Sequence, residues 1–210
     1  MVDQGQKGYC LVATAERVLR FYGLRVDQNE LAQLAGSDSQ KGTSLQAAVE
    51  ALKVASGRLK FRVKIADEPN PNEFEKLIVE YNKRAAKAKD PQISIGGGGD
   101  MAAILGSMKS EHLRAAKLAE KIDYVKFQKM LMATIDSGQP LMWGVVLGLV
   151  PEKGIPQTAG GHMRLLIGYN TKTNEILYSD SWGAGHELKR ISMDDAWVMH
   201  RWALILSPLF

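Results

Sequence analysis

The sequence predicts an α+β protein in which a mainly helical lobe, about residues 1–137, packs on an antiparallel β-sheet lobe, about residues 138–210. Two observations predict this division. Helical periodicity with helix caps dominates the first part of the chain, whereas the second part is a series of short apolar segments separated by turns. With 210 residues the chain can bury one sizeable core, so we expect a single domain made of these two lobes.

The first helix is predicted from Cys10 to Tyr22, where apolar residues recur at helical spacing and Gly23 provides the stop. We expect it to be the central helix of the fold. Other helices are predicted over residues 27–35, 43–52, 73–89, 101–121 with a break near Gly106, and 124–135. One strand, residues 59–65, alternates apolar and basic residues and belongs to the helical lobe in this prediction.

A run of glycines from Gly96 to Gly99 lies between two predicted elements of the helical lobe. A strand, a glycine run and a helix could form a phosphate cradle, but the Lys-Ser/Thr of a P-loop is missing here. We therefore interpret the run as a flexible loop that Asp100 caps and that could border a substrate cleft.

The second lobe begins with an unbroken apolar run, Leu141–Leu147, which predicts a fully buried strand. A hairpin is predicted next, with strands over Met163–Tyr169 and Glu175–Ser179 around a polar turn. Further strands are predicted over residues 188–191 and 203–206, with a short helix capped by Ser192 between them. We expect the functional site between this sheet and the first helix.

Composition excludes several classes of function. The net charge is +4, but Lys and Arg are scattered along helices and interleaved with acids, which indicates solvated helix faces and no nucleic-acid partner. No apolar run reaches the ~20 residues that span a bilayer, and the polar start is unlike a signal peptide. A single cysteine excludes an internal disulfide.

That cysteine, Cys10, stands at the first turn of the first predicted helix. A thiol there meets backbone N–H groups without helical partners and the positive end of the helix dipole, both of which favour thiolate. A lone cysteine is more often core filler. The position nevertheless suits a nucleophile, which requires a base elsewhere in the chain.

A histidine and an aspartate supply the expected partners. His162 precedes an apolar strand, and Asp180 ends the next strand, so the two side chains would meet if the strands pair. Cys, His and Asp then form a nucleophile, a base and an orienter of the base. Among the other histidines His186 is the rival, and the spacing of the four histidines predicts no zinc site.

These residues resemble those of the papain-like cysteine peptidases and their bacterial C39-like relatives. Gln4 lies six residues before Cys10 with Gly next to it, as in papain-like enzymes, and residues 162–169 end in Gly-Tyr as the family's His strand does. The string Asp-Ser-Trp-Gly at residues 180–183 is similar to the family's Asn-Ser-Trp-Gly, with the Asp that the C39-like group favours. Lys7 and Leu11 depart from the papain pattern, and the subfamily stays open.

The resemblance implies a papain-like fold and a cysteine peptidase that cleaves peptide or protein substrates through an acyl-enzyme, with no metal or cofactor. It implies that Gln4 and the backbone N–H of Cys10 stabilise the oxyanion, with Gln6 as a competing donor, and that Trp182 covers the His162–Asp180 hydrogen bond. Two alternatives remain open: an acyl transferase or amidase with the same residues, and a non-catalytic peptide-binding homologue.

A catalytic motif this near residue 1 leaves no room for the propeptide that such peptidases carry. We therefore expect the sequence to be a domain of a longer precursor with a propeptide or an additional domain. Removal of an N-terminal segment would fit a secreted or periplasmic location.

Overall fold

The computed structural model describes residues 2–5, 8–35, 45–94 and 101–209. It confirms the α+β class: helices pack on one six-stranded sheet in which every paired neighbour is antiparallel. The strands are β1 Phe61–Asp67, β2 Leu141–Leu147, β3 Gly160–Asn170, β4 Glu175–Ser179, β5 Lys189–Ser192 and β6 His200–Pro208. The helices are α1 Cys10–Phe21, α2 Gln28–Ala35, α3 Leu45–Leu59, α4 Pro71–Ala88, α5 Met101–Ser107, α6 Ser110–Ala119, α7 Lys121–Asp136 and α8 Met193–Met199.

The sheet separates two apolar cores, because side chains alternate between its faces. Met142 of β2 packs with α1, α2 and α3, whereas its neighbour Trp143 packs with α4 to α8. With helices on both faces, every residue of β2 is buried, as its unbroken apolar run predicts. Within the described ranges, no helix combines the length and the apolar character needed to cross a bilayer.

Helix α1 lies against β3 and β6, the predicted central position. Its inner stripe, which includes Val12, Ala15 and Leu19, is at most 2 % exposed. Burial of such a stripe, rather than helix propensity, supplies most of a helix's stability. The packing fixes the direction of α1, so that Cys10, its first residue, lies beside His162 near the start of the interior strand β3.

The hairpin of the second lobe is confirmed, with β3 and β4 joined by the turn at residues 171–174. His162 lies within β3 rather than before it, since the strand begins two residues earlier at Gly160. Ser192 caps α8 as predicted, because its Oγ accepts a hydrogen bond from Asp195 N at 3.0 Å.

Some elements differ from the predictions. Strand β1 does not stay with the helices: it pairs with β6 at the sheet edge, so the sheet takes in residues from both predicted lobes. The segment 101–121 contains two helices, α5 and α6, and the break after Ser107 lies near Gly106, as predicted. Lys117 is buried although its helix face was expected to be solvated. The Gly96–Gly99 run and Thr43 lie outside the described residues.

Gly106 has a packing role instead of ending the helix. A Cβ at this position would lie 2.3 Å from the Cβ of Ala159, which is too close for any side chain. Ala159 belongs to the loop that joins β2 to β3 and leads directly to His162. The absence of a side chain at Gly106 therefore allows α5 to pack closely against the loop that precedes the candidate site.

Candidate active site

Cys10 is the first residue of α1 and is half-buried. The N-cap residue, Tyr9, makes no side-chain capping bond, so no side-chain oxygen of the cap competes for the first N–H groups of the helix. No acidic residue lies in the first turn. The backbone N–H groups of Leu11 and Met163 instead donate to the Cys10 sulfur, and these dipoles favour the thiolate.

His162 and Asp180 are brought together by the pairing of β3 with β4. Leu165 of β3 is paired with Ser179, the last residue of β4, so Asp180 follows directly at the end of β4 that lies beside the first half of β3. His162 Nε2 lies 2.5 Å from Asp180 Oδ1, and both residues are buried. The imidazole also hydrogen-bonds the Cys10 thiol. Because Nε2 is held by Asp180, the nitrogen that faces Cys10 is Nδ1.

The three groups shift each other's pKa in the directions of an ion pair. Burial alone raises the pKa of Cys10, but the hydrogen bond and charge of His162 outweigh it and the pKa is lowered. Burial alone lowers the pKa of His162, but hydrogen bonds with Asp180 and Cys10 raise it to about 9. The pair therefore favours thiolate and imidazolium over the neutral forms at neutral pH.

Trp182 covers the imidazole. Its ring stacks on His162 with centroids 4.2 Å apart and planes within 9°. His186, the rival base, contacts the same indole edge-on at 5.6 Å, and it meets Asp180 through its backbone carbonyl, which accepts from Asp180 N at 2.9 Å. The ring that the structure places between Cys10 and Asp180 is thus that of His162.

Gln4 is fixed to the residue after Asp180. Its backbone N–H donates to Ser181 O at 2.8 Å, and Ser181 Oγ donates to its side-chain Oε1 at 2.5 Å. The second bond determines which end of the Gln4 amide faces Ser181. Next to it, Gly183 has φ +76°, and a Cβ there would lie 2.5 Å from Asp3 Oδ2. The competing donor Gln6 lies outside the described residues.

A buried arginine behind Asp180 was missed in the sequence. Arg164 is 0 % exposed, and its Nε donates to Asp180 Oδ2 at 3.0 Å. Its two terminal nitrogens donate to the two carboxylate oxygens of Glu152 at 3.1 and 2.9 Å. The spacing could have indicated its role. Arg164 lies two residues after His162 in an apolar strand, and residues two apart in a strand share a face of the sheet.

The other two histidines hydrogen-bond carboxylates away from Cys10. His112 Nε2 is 2.8 Å from Asp90, and His200 Nε2 is 2.6 Å from Asp67. One group in the described part of the chain could hold a metal ion by geometry, namely Asp90, Glu111 and His112. Lys109 and His112 already bind the two Asp90 oxygens, so internal ion pairing accounts for this cluster.

The fold and this cluster define a class of protein: an N-terminal helix presents a thiol to an imidazole and a carboxylate held on an antiparallel sheet. Residues 1–206 match the family described as Peptidase_C39 like family. The chain therefore belongs to the Peptidase_C39 like family, which confirms the resemblance to the C39-like cysteine peptidases.

A search of curated proteins finds no match to the chain. Among solved structures, the chain is similar to one titled as the peptidase domain of Streptococcus ComA, a bi-functional ABC transporter involved in a quorum sensing pathway. The two share 15% sequence identity, the match covers 99% of this chain and 96% of that one, and the TM-score is 0.48.

Proposed function

We propose that this protein is a cysteine peptidase that hydrolyses peptide bonds in a peptide or protein substrate, with Cys10 as nucleophile, His162 as base and Asp180 as orienter of the base. The observation that carries the proposal is the buried hydrogen bond between His162 and Asp180, with the half-buried Cys10 thiol on the other side of the imidazole. Membership of a peptidase family supports it.

In the first half of the reaction, His162 holds the proton of Cys10, and the thiolate sulfur attacks the substrate carbonyl carbon. The carbonyl π-bond electrons move to oxygen and form an oxyanion. When the C–N bond breaks, the imidazolium gives its proton to the leaving amine. The product is a thioester on Cys10 and a neutral His162.

The oxyanion requires donors near Cys10. We assign this role to the backbone N–H of Cys10 and the side-chain NH2 of Gln4. The bond from Ser181 Oγ to Gln4 Oε1 supports this assignment, because it fixes the oxygen end of the amide and thereby the orientation of the NH2. Loss of one such donor typically costs ~10²–10³ in rate.

In the second half, His162 takes a proton from water, and the resulting hydroxide attacks the thioester carbonyl. The carboxylic acid leaves, and the thiolate–imidazolium pair is restored. Asp180 keeps Nε2 as the protonated nitrogen throughout, so that Nδ1 is the atom that exchanges protons. Trp182 supports the pair by covering the His162 face from water.

The first test is the pH dependence of Cys10 alkylation by iodoacetamide, in the wild type and in His162→Ala. An ordinary thiol of pKa ~8.5 is about 0.3 % thiolate at pH 6. We expect the wild type to be alkylated roughly 100-fold faster than His162→Ala at pH 6. Equal rates, both following an ordinary thiol, would reject the proposed Cys–His pair.

The second test uses a peptide library with Cys10→Ala as the matched control. We expect cleavage by the wild type and none by the control, with new amino termini identified by mass spectrometry. Addition of a primary amine at high concentration separates hydrolysis from transfer, because an acyl transferase would form amide products with that amine. A wild type with fast alkylation but no cleavage or transfer would contradict the peptidase proposal.

A further inference from the structure

The interior behind the candidate site holds a second charged layer. Arg164 lies between two carboxylates: Asp180 accepts its Nε–H at 3.0 Å, and Glu152 accepts from both terminal nitrogens. The Arg164 side chain is fully buried, and the Glu152 side chain is 10 % exposed. A bidentate arginine–carboxylate pair in such a place has a fixed geometry and little screening by solvent.

The partners of Glu152 hold the guanidinium in place. The Tyr178 hydroxyl donates to Glu152 Oε1 at 2.5 Å, and the Tyr178 ring lies under the guanidinium at 4.5 Å. Trp143 approaches it from another side at 5.9 Å. Aromatic faces stabilise a cation that has lost its water, so Arg164 can stay buried and charged.

Three donors hold the Asp180 carboxylate. Its Oδ1 accepts from His162 Nε2 and from Ser181 N at 2.9 Å, and its Oδ2 accepts from Arg164. Burial alone raises the pKa of Asp180, but His162 and Arg164 outweigh it and the pKa is lowered. A buried carboxylate without such partners would be protonated more easily, and a protonated Asp180 would stabilise the imidazolium less.

We propose that Arg164 is a positioning residue for the proposed reaction: its guanidinium keeps Asp180 ionised and aimed at His162, and Glu152 anchors the guanidinium. The inference rests on the proposed function. It assigns a role to an arginine and a glutamate in the reaction, although neither residue touches the substrate or the thiol.

Two variants break the same buried ion pair but change the charge near Asp180 in opposite senses. Arg164→Met removes a positive charge, so Asp180 and the Cys10 thiolate lose stabilisation. Glu152→Gln removes a negative charge but keeps an acceptor oxygen for the guanidinium, which the Tyr178 ring also holds, so Arg164 stays beside Asp180 without a competing carboxylate. A purely structural role of the ion pair predicts the same effect from both variants, whereas the proposed role predicts opposite effects.

The measurement is the acid limb of the Cys10 alkylation profile with iodoacetamide, on full-length protein whose folding is checked by circular dichroism and thermal melting. We expect the midpoint to move up by about 1 pH unit or more in Arg164→Met and to move down in Glu152→Gln. Arg164→Lys, which keeps the charge but loses the two-pronged contact, should stay nearer the wild type than Arg164→Met.

An unchanged or lowered midpoint in folded Arg164→Met overturns the proposal. If Arg164→Met does not fold, Glu152→Gln decides it: a lowered midpoint supports the role of Arg164, and an unchanged or raised midpoint refutes it. Failure of the proposed function would give a different result from failure of the Arg164 proposal. In that case the wild type itself titrates as an ordinary thiol, and His162→Ala has no effect.

Discussion

Two histidine–aspartate pairs, each with a buried imidazole, lie side by side in the sheet. Val145 of β2 is paired with His162 of β3 on one side and with His200 of β6 on the other. In both pairs an imidazole Nε2 meets an Asp oxygen, at 2.5 Å for His162 with Asp180 and at 2.6 Å for His200 with Asp67. By this contact alone the two pairs look alike.

Their electrostatics differ because the third partner differs. Cys10 adds a thiol that becomes negative, and the pKa of His162 rises to about 9 in spite of burial. Burial lowers the pKa of His200, Asp67 offsets this only partly, and Lys117 lowers it further. The Asp67 side chain is also 43 % exposed, whereas that of Asp180 is 0 % exposed.

Lys117 explains why the second pair suits a structural role. Its buried amino group donates to the backbone carbonyls of Trp197 at 3.0 Å and His200 at 2.8 Å, which ties α6 to the start of β6. Burial lowers the pKa of Lys117 to about 7, so the group is charged in the pH range where His200 titrates. A cation there favours neutral imidazole, whereas a nucleophilic thiol requires an imidazolium beside it. The hydrogen bond to an aspartate therefore does not by itself make a histidine a candidate base. The group on the other side of the imidazole, a thiol for His162 and a lysine for His200, makes the difference.

The largest expected difference between the pairs lies in activity. Asp180→Asn should reduce kcat/KM for a cleaved peptide by about 100-fold. The amide carries no charge, and it has one acceptor oxygen in place of the two that bind His162 and Arg164. Asp67→Asn should leave kcat/KM within about threefold of the wild type. Steady-state kinetics on folded variants would test this, and equal losses in both would end the distinction.

Removal of the thiol should reduce the difference between the pKa values of His162 and His200. In Cys10→Ala we expect the pKa of His162 to fall by about 1–2 units, because no thiolate remains to stabilise the imidazolium. Proton NMR of the ring Cε1–H signals across pH would measure it. His200 serves as the internal control, with its titration unchanged, and a His162 pKa that stays near 9 would assign the shift to Asp180 alone.

Removal of the cation should act on the other pair. In Lys117→Met we expect the pKa of His200 to rise, by less than the change at His162, because solvent at the exposed Asp67 screens the charges. The same NMR titration measures it, provided that the variant melts cooperatively. A His200 pKa that falls or stays constant would show that burial, not Lys117, sets its value.

The smallest expected effect is on stability. The folded-state pKa of His200 is below the unfolded value of ~6.5, so this group contributes stability above that pH and loses it as pH falls through the folded pKa. The wild type should exceed His200→Gln in free energy of unfolding by about 0.5–3 kcal/mol at pH 7.5. Urea unfolding should show this gap narrowing towards pH 5, and a widening gap would reverse the sign we assign.

Much of the candidate site could be predicted because its parts lie in local sequence signals. Cys10 follows from a helix start, and His162 and Asp180 follow from a hairpin whose turn is set by nearby polar residues. The prediction that His162 and Asp180 meet required only that β3 and β4 pair through that turn. The structure brings these side chains together, while their catalytic roles stay a proposal.

The remainder depended on contacts between distant segments. Glu152 comes from the loop after β2, and no local pattern indicates that it binds Arg164. The pairing of β1 with β6 joins residues far apart in the chain, and α6 alone does not show that Lys117 is buried. Whether a charged side chain such as Arg164 or Lys117 is buried depends on the distant segments that pack on it. The periodicity of its own helix or strand does not indicate those segments.

The attachment of Gln4 to Ser181 has a consequence for the newly made chain. These residues are separated by 177 positions, yet two hydrogen bonds join them. Cys10 is translated well before His162 and before Ser181, which holds Gln4. The groups that lower the pKa of the Cys10 thiol, His162 and the Met163 backbone, therefore act on it only after β3 has been made and has packed on α1.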